Sequence, residues 1–144
     1  IHDIDLARFL TKEEMFYVEA LTNSNEVYEN HVISSMQTKK GKMITCEASW
    51  NYPIQIREIR ILTSKKYFEI DLLNKNIKIY KNNKEIKNIE VLQGDSLENE
   101  LKDFLEAISS AKSPLCGLDD GIEAMNIANK IMKSSKLNFK LING

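Results

Sequence analysis

Of the two histidines in the chain, His2 and His31, only the first stands among residues that could share chemistry with it. It opens the run Ile1-His2-Asp3-Ile4-Asp5, and Ile4, Leu6, Phe9 and Leu10 follow at roughly helical spacing. His2 is therefore expected at the start of a short helix, with Asp5 nearly one turn on. An imidazole, with an unperturbed pKa of about 6.5, can hold a hydroxyl or accept its proton. The positive end of a helix favours the neutral, accepting ring. Asp5 can orient that ring, line a pocket or cap the helix, and its spacing leaves all three open. Taken alone, a histidine in this position is more often a capping or surface residue, so context has to carry the chemistry. His31 falls in an extended stretch and reads as a surface or sheet-face residue.

Other chemistries lack their signatures. The five glycines, at 41, 94, 117, 121 and 144, never approach phosphate-loop spacing, so a nucleotide cofactor would need a separate domain. The two histidines are far apart without paired ligands, and no metal site is expected. No nucleophile-elbow pattern occurs. Cys46 and Cys116 are too few and too distant for a disulfide framework, and they read as small, reduced core residues.

The elements that must position these residues follow from periodicity. After the opening helix, strands are expected at about 15–21 and 29–37, with a turn at Lys39-Lys40-Gly41. From 42 to 50 the chain alternates, with Ile44, Cys46, Ala48 and Trp50 on one face and Met43, Thr45, Glu47 and Ser49 on the other. Tyr52-Pro53 interrupts the extended run. The parity of Ile54 and Ile56 slips against that of Ile59 and Ile61, predicting a bulge or bend near Arg57-Glu58. Strands at about 66–73, 76–81 and 85–91, turning at Asn74-Lys75 and at 82–84, complete an antiparallel meander.

The last third changes period. Leu97, Leu101, Phe104, Leu105 and Ile108 form a helical stripe opened by Asp95 and Glu98 in capping-box spacing and ended by Lys112-Ser113-Pro114. A second helix is expected from about Asp119, with Ile122, Met125, Ala128, Ile131 and Met132 on its inner face. Leu137, Phe139 and Leu141 alternate and read as a final strand. The fold class is α+β. The expectation is one domain over 1–144, a largely antiparallel open sheet of about six strands, helices on one face and the other face exposed or at a subunit interface. The face carrying Met43, Thr45, Glu47 and Ser49 is the one left for a homo-oligomer contact.

A net charge of −1, with lysines spread along the chain, gives no stripe for nucleic acid and no polybasic membrane patch. No apolar run approaches the roughly 20 residues that span a bilayer, and no signal peptide is visible, so the cytoplasm is the expected compartment. The chain opens at Ile1, not Met, so a fragment or a processed product is expected.

The order of motifs resembles a known family. His2-Asp3-Ile4-Asp5-Leu6, with Phe9 and Leu10, is similar to the Gfo/Idh/MocA segment D-x-G-x-H-x-x-D-x-x-x-W-L, with Phe9 in place of the commoner Trp. Glu29 to Val32, Gly41 and Glu47 to Trp50 resemble the family's strand pair. Glu58 to Asp71 resembles its hairpin, although Ser64 and Lys65 stand where glycines are common. Glu98 to Ala111, Lys112 to Leu115 and Asp119 to Ala124 resemble its closing helices.

That resemblance implies the C-terminal, substrate-side domain of an NAD- or NADP-dependent dehydrogenase of sugars, inositols or nucleotide sugars. Its dinucleotide-binding domain, and the aspartate four positions before His2, would lie outside this chain. It further implies that His2 is catalytic, that a lysine of the absent domain shares the proton transfer, and that the substrate packs on one face of the sheet. Asp5, Trp50, Tyr52 and Arg57 are the candidate substrate contacts, although Trp50 also reads as a core residue. The chain alone would bind no cofactor and be inactive. The competing reading is a non-catalytic sheet module that dimerises or binds a small ligand.

Overall fold

The computed structural model describes residues 1–24, 29–91 and 94–143, and these form two compact units, Ile1–Asn51 with Ser113 onward, and Tyr52–Lys112.

The first unit opens with α1 (His2–Thr11), which ends where Lys12 turns left-handed and its N–H reaches the Arg8 carbonyl at 2.8 Å. Three antiparallel strands follow: β1 (Met15–Ser24), β2 (Glu29–Thr38) and β3 (Met43–Ser49), in the order β1-β2-β3. The β2–β3 turn falls at the expected lysine-glycine run. Gly41 takes φ 85, which a glycine tolerates without a Cβ clash, and the Thr38 hydroxyl accepts from Lys42 N at 3.1 Å. The register places Met36 opposite Ile44, Ser34 opposite Cys46 and Val32 opposite Ala48 on one face. Gln37 with Met43, Ser35 with Thr45, and Ile33 with Glu47 share the other.

The first of these faces is covered by α1 and by the final helix, here labelled α3 (Leu118–Asn143). Ala124, Ile127 and Ile131 of α3 join Ala20, Met36, Met15 and Ile4 in the core, and Ile127 is fully buried. Small residues at 20 and 124 suit a close approach of helix to sheet. The Ala20 N–H donates to the Ser134 hydroxyl at 3.1 Å, a further tie between β1 and α3. The inner stripe of α3 is rotated from the expected one: Ile122 and Met125 are exposed, and the buried line runs 124, 127, 131 and 135. With apolar residues on both flanks, the sequence defined the helix better than its facing.

The tail is a second correction. Residues 137–141 continue α3 as helix and do not form a strand. Leu137 and Leu141 are four apart, so the same residues satisfy a helical period, and no glycine or proline stands between 122 and 143 to stop propagation.

The second unit is a four-stranded antiparallel sheet: β4 (Glu58–Leu62), β5 (Tyr67–Asp71), β6 (Asn76–Lys81) and β7 (Lys84–Glu90), followed by α2 (Ser96–Ser110). One sheet face carries Ile59, Ile61, Phe68, Ile70, Ile77 and Ile79 in paired register; the other carries Glu58, Arg60, Glu69, Asp71 and Lys78. The α+β class is as expected, but among the described residues the strands number seven, in two sheets. The parity slip before β4 is a stretch outside any strand, at 50–57, and not a bulge within one. Asp95 caps α2 as expected, its carboxylate accepting from Leu97 N and Glu98 N. None of this unit's described residues is buried.

Candidate active site

His2 lies in the first turn of α1, is exposed, and makes no hydrogen bond or ion pair among the described residues. The next turn anchors the helix: Ile4 is buried in the core, and α1 runs against both α3 and β3. The helix start lies over Cys46 of β3. Burial pushes the Cys46 thiol up to about 11, with the Asp3 carboxylate adding to the rise. The geometry thus presents an imidazole at an open helix end beside the helix-covered face of the sheet.

That face opens towards one end. Ile44 and Cys46 are half-buried, Ala48 is exposed, and Trp50, which continues their parity, is 85% exposed while its N–H donates to the Asn30 carbonyl at 2.9 Å. Trp50 is therefore not the core residue that its parity also allowed. Tyr52 and Arg57 are also exposed but belong to the second unit. His2, Asp5 and Trp50 thus share one unit, and Tyr52 and Arg57 share the other.

Asp5 does not turn towards His2. Its carboxylate pairs with Arg8 at 3.4 Å and accepts from the Cys116 thiol at 3.5 Å. Cys116 is exposed, contrary to its expected place in the core, and burial together with the Asp5 contact raises its pKa. His31 behaves as expected, its Nε2 lying 3.0 Å from Glu47 Oε1 across the exposed sheet face.

Arg8 is the residue that sequence reasoning missed. Its guanidinium, little exposed, meets Glu14 at 2.8 Å, Asp5 and Asp120 at 3.4 Å each, and the Asp120 carbonyl at 3.2 Å. Asp120 in turn accepts from Gly117 N at 2.9 Å, reaching back over the first turn of α3. The Gly117 N–H and the Arg8 charge hold the Asp120 carboxyl below the usual range, and the Arg8 contact does the same for Glu14. One cation thus ties α1 to the start of β1 and the start of α3. The Asp5–Arg8 spacing of one helical turn was a visible signal; the partners at 14 and 120 were not.

Among the described residues, no helix is long and apolar enough to cross a membrane. No group of three or more His, Cys, Asp or Glu residues that could hold a metal occurs there either. A broad depression of about 980 Å³ in the second unit, lined by Glu58, Arg60, Asp71 and neighbours, includes none of the five candidates.

An exposed imidazole thus stands at a helix start fixed to the core, in the same unit as the exposed Trp50. No family model and no curated protein matches the sequence. Solved structures do match. The UDP-N-acetylglucosamine 3-dehydrogenase of Acidithiobacillus ferrooxidans aligns at TM-score 0.86 and 25% identity, over 92% of this chain and 44% of that one. The aldose-aldose oxidoreductase of Caulobacter crescentus aligns at 0.83 and 18%, over 95% and 44%. A levoglucosan dehydrogenase solved with NADH and levoglucosan aligns at 0.84 and 16%, over 95% and 47%. The chain has the fold of Gfo/Idh/MocA-type oxidoreductases and spans less than half the length of these structures.

Proposed function

We propose that the chain is the substrate-side domain of an NAD- or NADP-dependent oxidoreductase acting on a carbinol of a sugar, polyol or nucleotide sugar. The observation that carries this reading is His2: exposed, unpartnered among the described residues, and held at the start of a helix that Ile4 and Arg8 fix to the core. The H-D-I-D motif around it and the likeness to sugar-handling dehydrogenases support the same assignment.

The residues present do not fit a dinucleotide site, since no glycine-rich turn occurs, so a separate domain would hold the cofactor. When bound, the nicotinamide supplies the hydride acceptor or donor. In the oxidising direction His2 accepts a hydrogen bond from the reacting hydroxyl and takes its proton, with a lysine of the other domain as the alternative acceptor. Trp50 offers a flat apolar surface for the sugar ring, and Tyr52 and Arg57 contact its more distant groups. Asp5 acts through Arg8, keeping the helix in place. The exposed face with Met43, Thr45 and Glu47 pairs subunits in a homo-oligomer, and the enzyme works in the cytoplasm.

The test is turnover of nicotinamide by the full-length protein over a panel of sugars, inositols and nucleotide sugars. The reading expects activity on at least one class, and an upstream βαβ unit with a glycine-rich turn. No turnover and no such unit would leave a non-catalytic sheet module. The 144-residue chain alone should show no dehydrogenase activity and no tight stoichiometric NAD binding by calorimetry.

A further inference from the structure

We infer a second, non-catalytic binding site in the second unit, suited to a phosphate monoester carried on a small polyol, such as a sugar phosphate. At one end of the four-stranded sheet, the β4–β5 and β6–β7 turns border an open depression of about 420 Å³. A depression of this size can seat a small ligand against its lining. Lys65, Lys66 and Lys81 stand on its lining, and none has a carboxylate within ion-pair distance among the described residues. Lys84, directly across the ladder from Lys81, adds a fourth positive charge to the same end.

Like charges placed opposite each other in a ladder destabilise a hairpin. Elsewhere in the chain cations near acids are paired, as Lys42 is with Glu13 and Arg60 with Glu58. Here Lys65, Lys66 and Lys81 line one depression with no ion pair among the described residues, which raises the positive potential over it. Two acids share this part of the ladder: Glu69, which accepts from the Tyr80 hydroxyl at 3.0 Å and lies opposite Lys78, and Glu85, the register partner of Tyr80 next to Lys84. Both trim the positive field without pairing with the lining lysines.

The floor of the depression fits the rest of such a ligand. Tyr67 and Tyr80 pair across the strands with ring centroids 5.8 Å apart and planes inclined by 40°. Half-buried rings of this kind offer an apolar surface for the C–H face of a sugar. Asn82 and Asn83, both left-handed at φ 53 and 59, form the tight β6–β7 turn on the rim and bring amide donors and acceptors for hydroxyls. The lysines take the phosphate, whose charge of about −1.5 to −2 outweighs any single contact.

This inference does not rest on the proposed dehydrogenase activity, and its test needs none. Glucose 6-phosphate, inorganic phosphate and glucose are titrated into the 144-residue chain by calorimetry at low and moderate salt. The expected order is glucose 6-phosphate tighter than phosphate, with no binding of glucose and weaker binding at higher salt. Lys65→Gln combined with Lys81→Gln weakens both anions at least tenfold. Tyr67→Leu removes the advantage of the sugar phosphate over phosphate and leaves phosphate binding intact. The inference is overturned if neither anion binds saturably, if the double lysine variant binds as the wild type does, or if glucose 6-phosphate binds no tighter than phosphate.

Discussion

The sheet of β1–β3 and the sheet of β4–β7 are built alike, from alternating antiparallel strands joined by short turns, yet only the first acquires a core. In the first, α3 lays Ala124, Ile127 and Ile131 over the apolar face, and Met15, Ala20 and Met36 are buried with them. In the second, Ile59, Ile61, Phe68, Ile70, Ile77 and Ile79 line an equally apolar face, but none of them is fully buried. The helix α2 is more amphipathic than α3, yet leaves Leu97, Leu101, Phe104, Leu105 and Ile108 each more than half exposed. Alternation marks a face that gains from cover; it does not say which element covers it, or whether one does.

The contrast can be broken most forcefully at its centre. Ile127→Ala should cost about 2–5 kcal/mol in denaturant unfolding of the chain, because it leaves a cavity in a fully buried site. Ile70→Ala, its counterpart on the second sheet, should cost only about 1 kcal/mol, the transfer contribution of a half-buried side chain. Equal costs would show that the second sheet packs as tightly as the first.

Arg8→Met comes next, at about 1–3 kcal/mol, since it strips three carboxylates of their shared donor. Its pH signature is specific. Glu14 and Asp120 have depressed folded pKa values, so their stabilisation is present above the ordinary carboxylate range and is lost as pH falls. Arg8→Met should therefore flatten the decline in stability below about pH 5. An unchanged acid limb would dissociate Arg8 from those carboxylates.

A smaller effect lies at alkaline pH. The folded pKa of Cys46 is raised to about 11, so the folded state keeps its proton while the unfolded chain, with a thiol pKa of about 8.5, releases it. Stability should fall as pH rises through that interval, and Cys46→Ala should remove the fall. Iodoacetamide at neutral pH should label the exposed Cys116 before Cys46, and the reverse order would contradict the assigned burial. The smallest effect belongs to the uncovered helix: Leu101→Ala should change stability by less than about 0.5 kcal/mol.

Much of the fold was legible because local chemistry decided it. Gly41 marked a turn that needs positive φ, Asp95 an N-cap, and the alternation from Met43 to Ser49 a strand with two distinct faces. The misread pieces were those with two admissible periods or two admissible faces. Leu137 and Leu141 suit a helix as well as a strand, and α3 carries apolar residues on both sides of its buried line. Of the candidate site, the helix that begins at His2 was legible from its spacing, whereas the exposure of Trp50 was not, because its parity groups it with Ile44 and Cys46 on the covered face. The Arg8 cluster was not, because Glu14 and Asp120 reach it only through the folded arrangement of α1, β1 and α3.

The most direct test of the account is the full-length protein carrying His2→Gln, assayed for nicotinamide turnover on the best substrate of the wild type. An exposed residue outside the core should leave the fold intact. The account predicts a fall in kcat of roughly 10²–10⁴, the usual contribution of a positioned acid–base group, with little change in thermal stability. A variant that turns over at the wild-type rate would contradict the proposed role of His2 and, with it, the proposed substrate-side function.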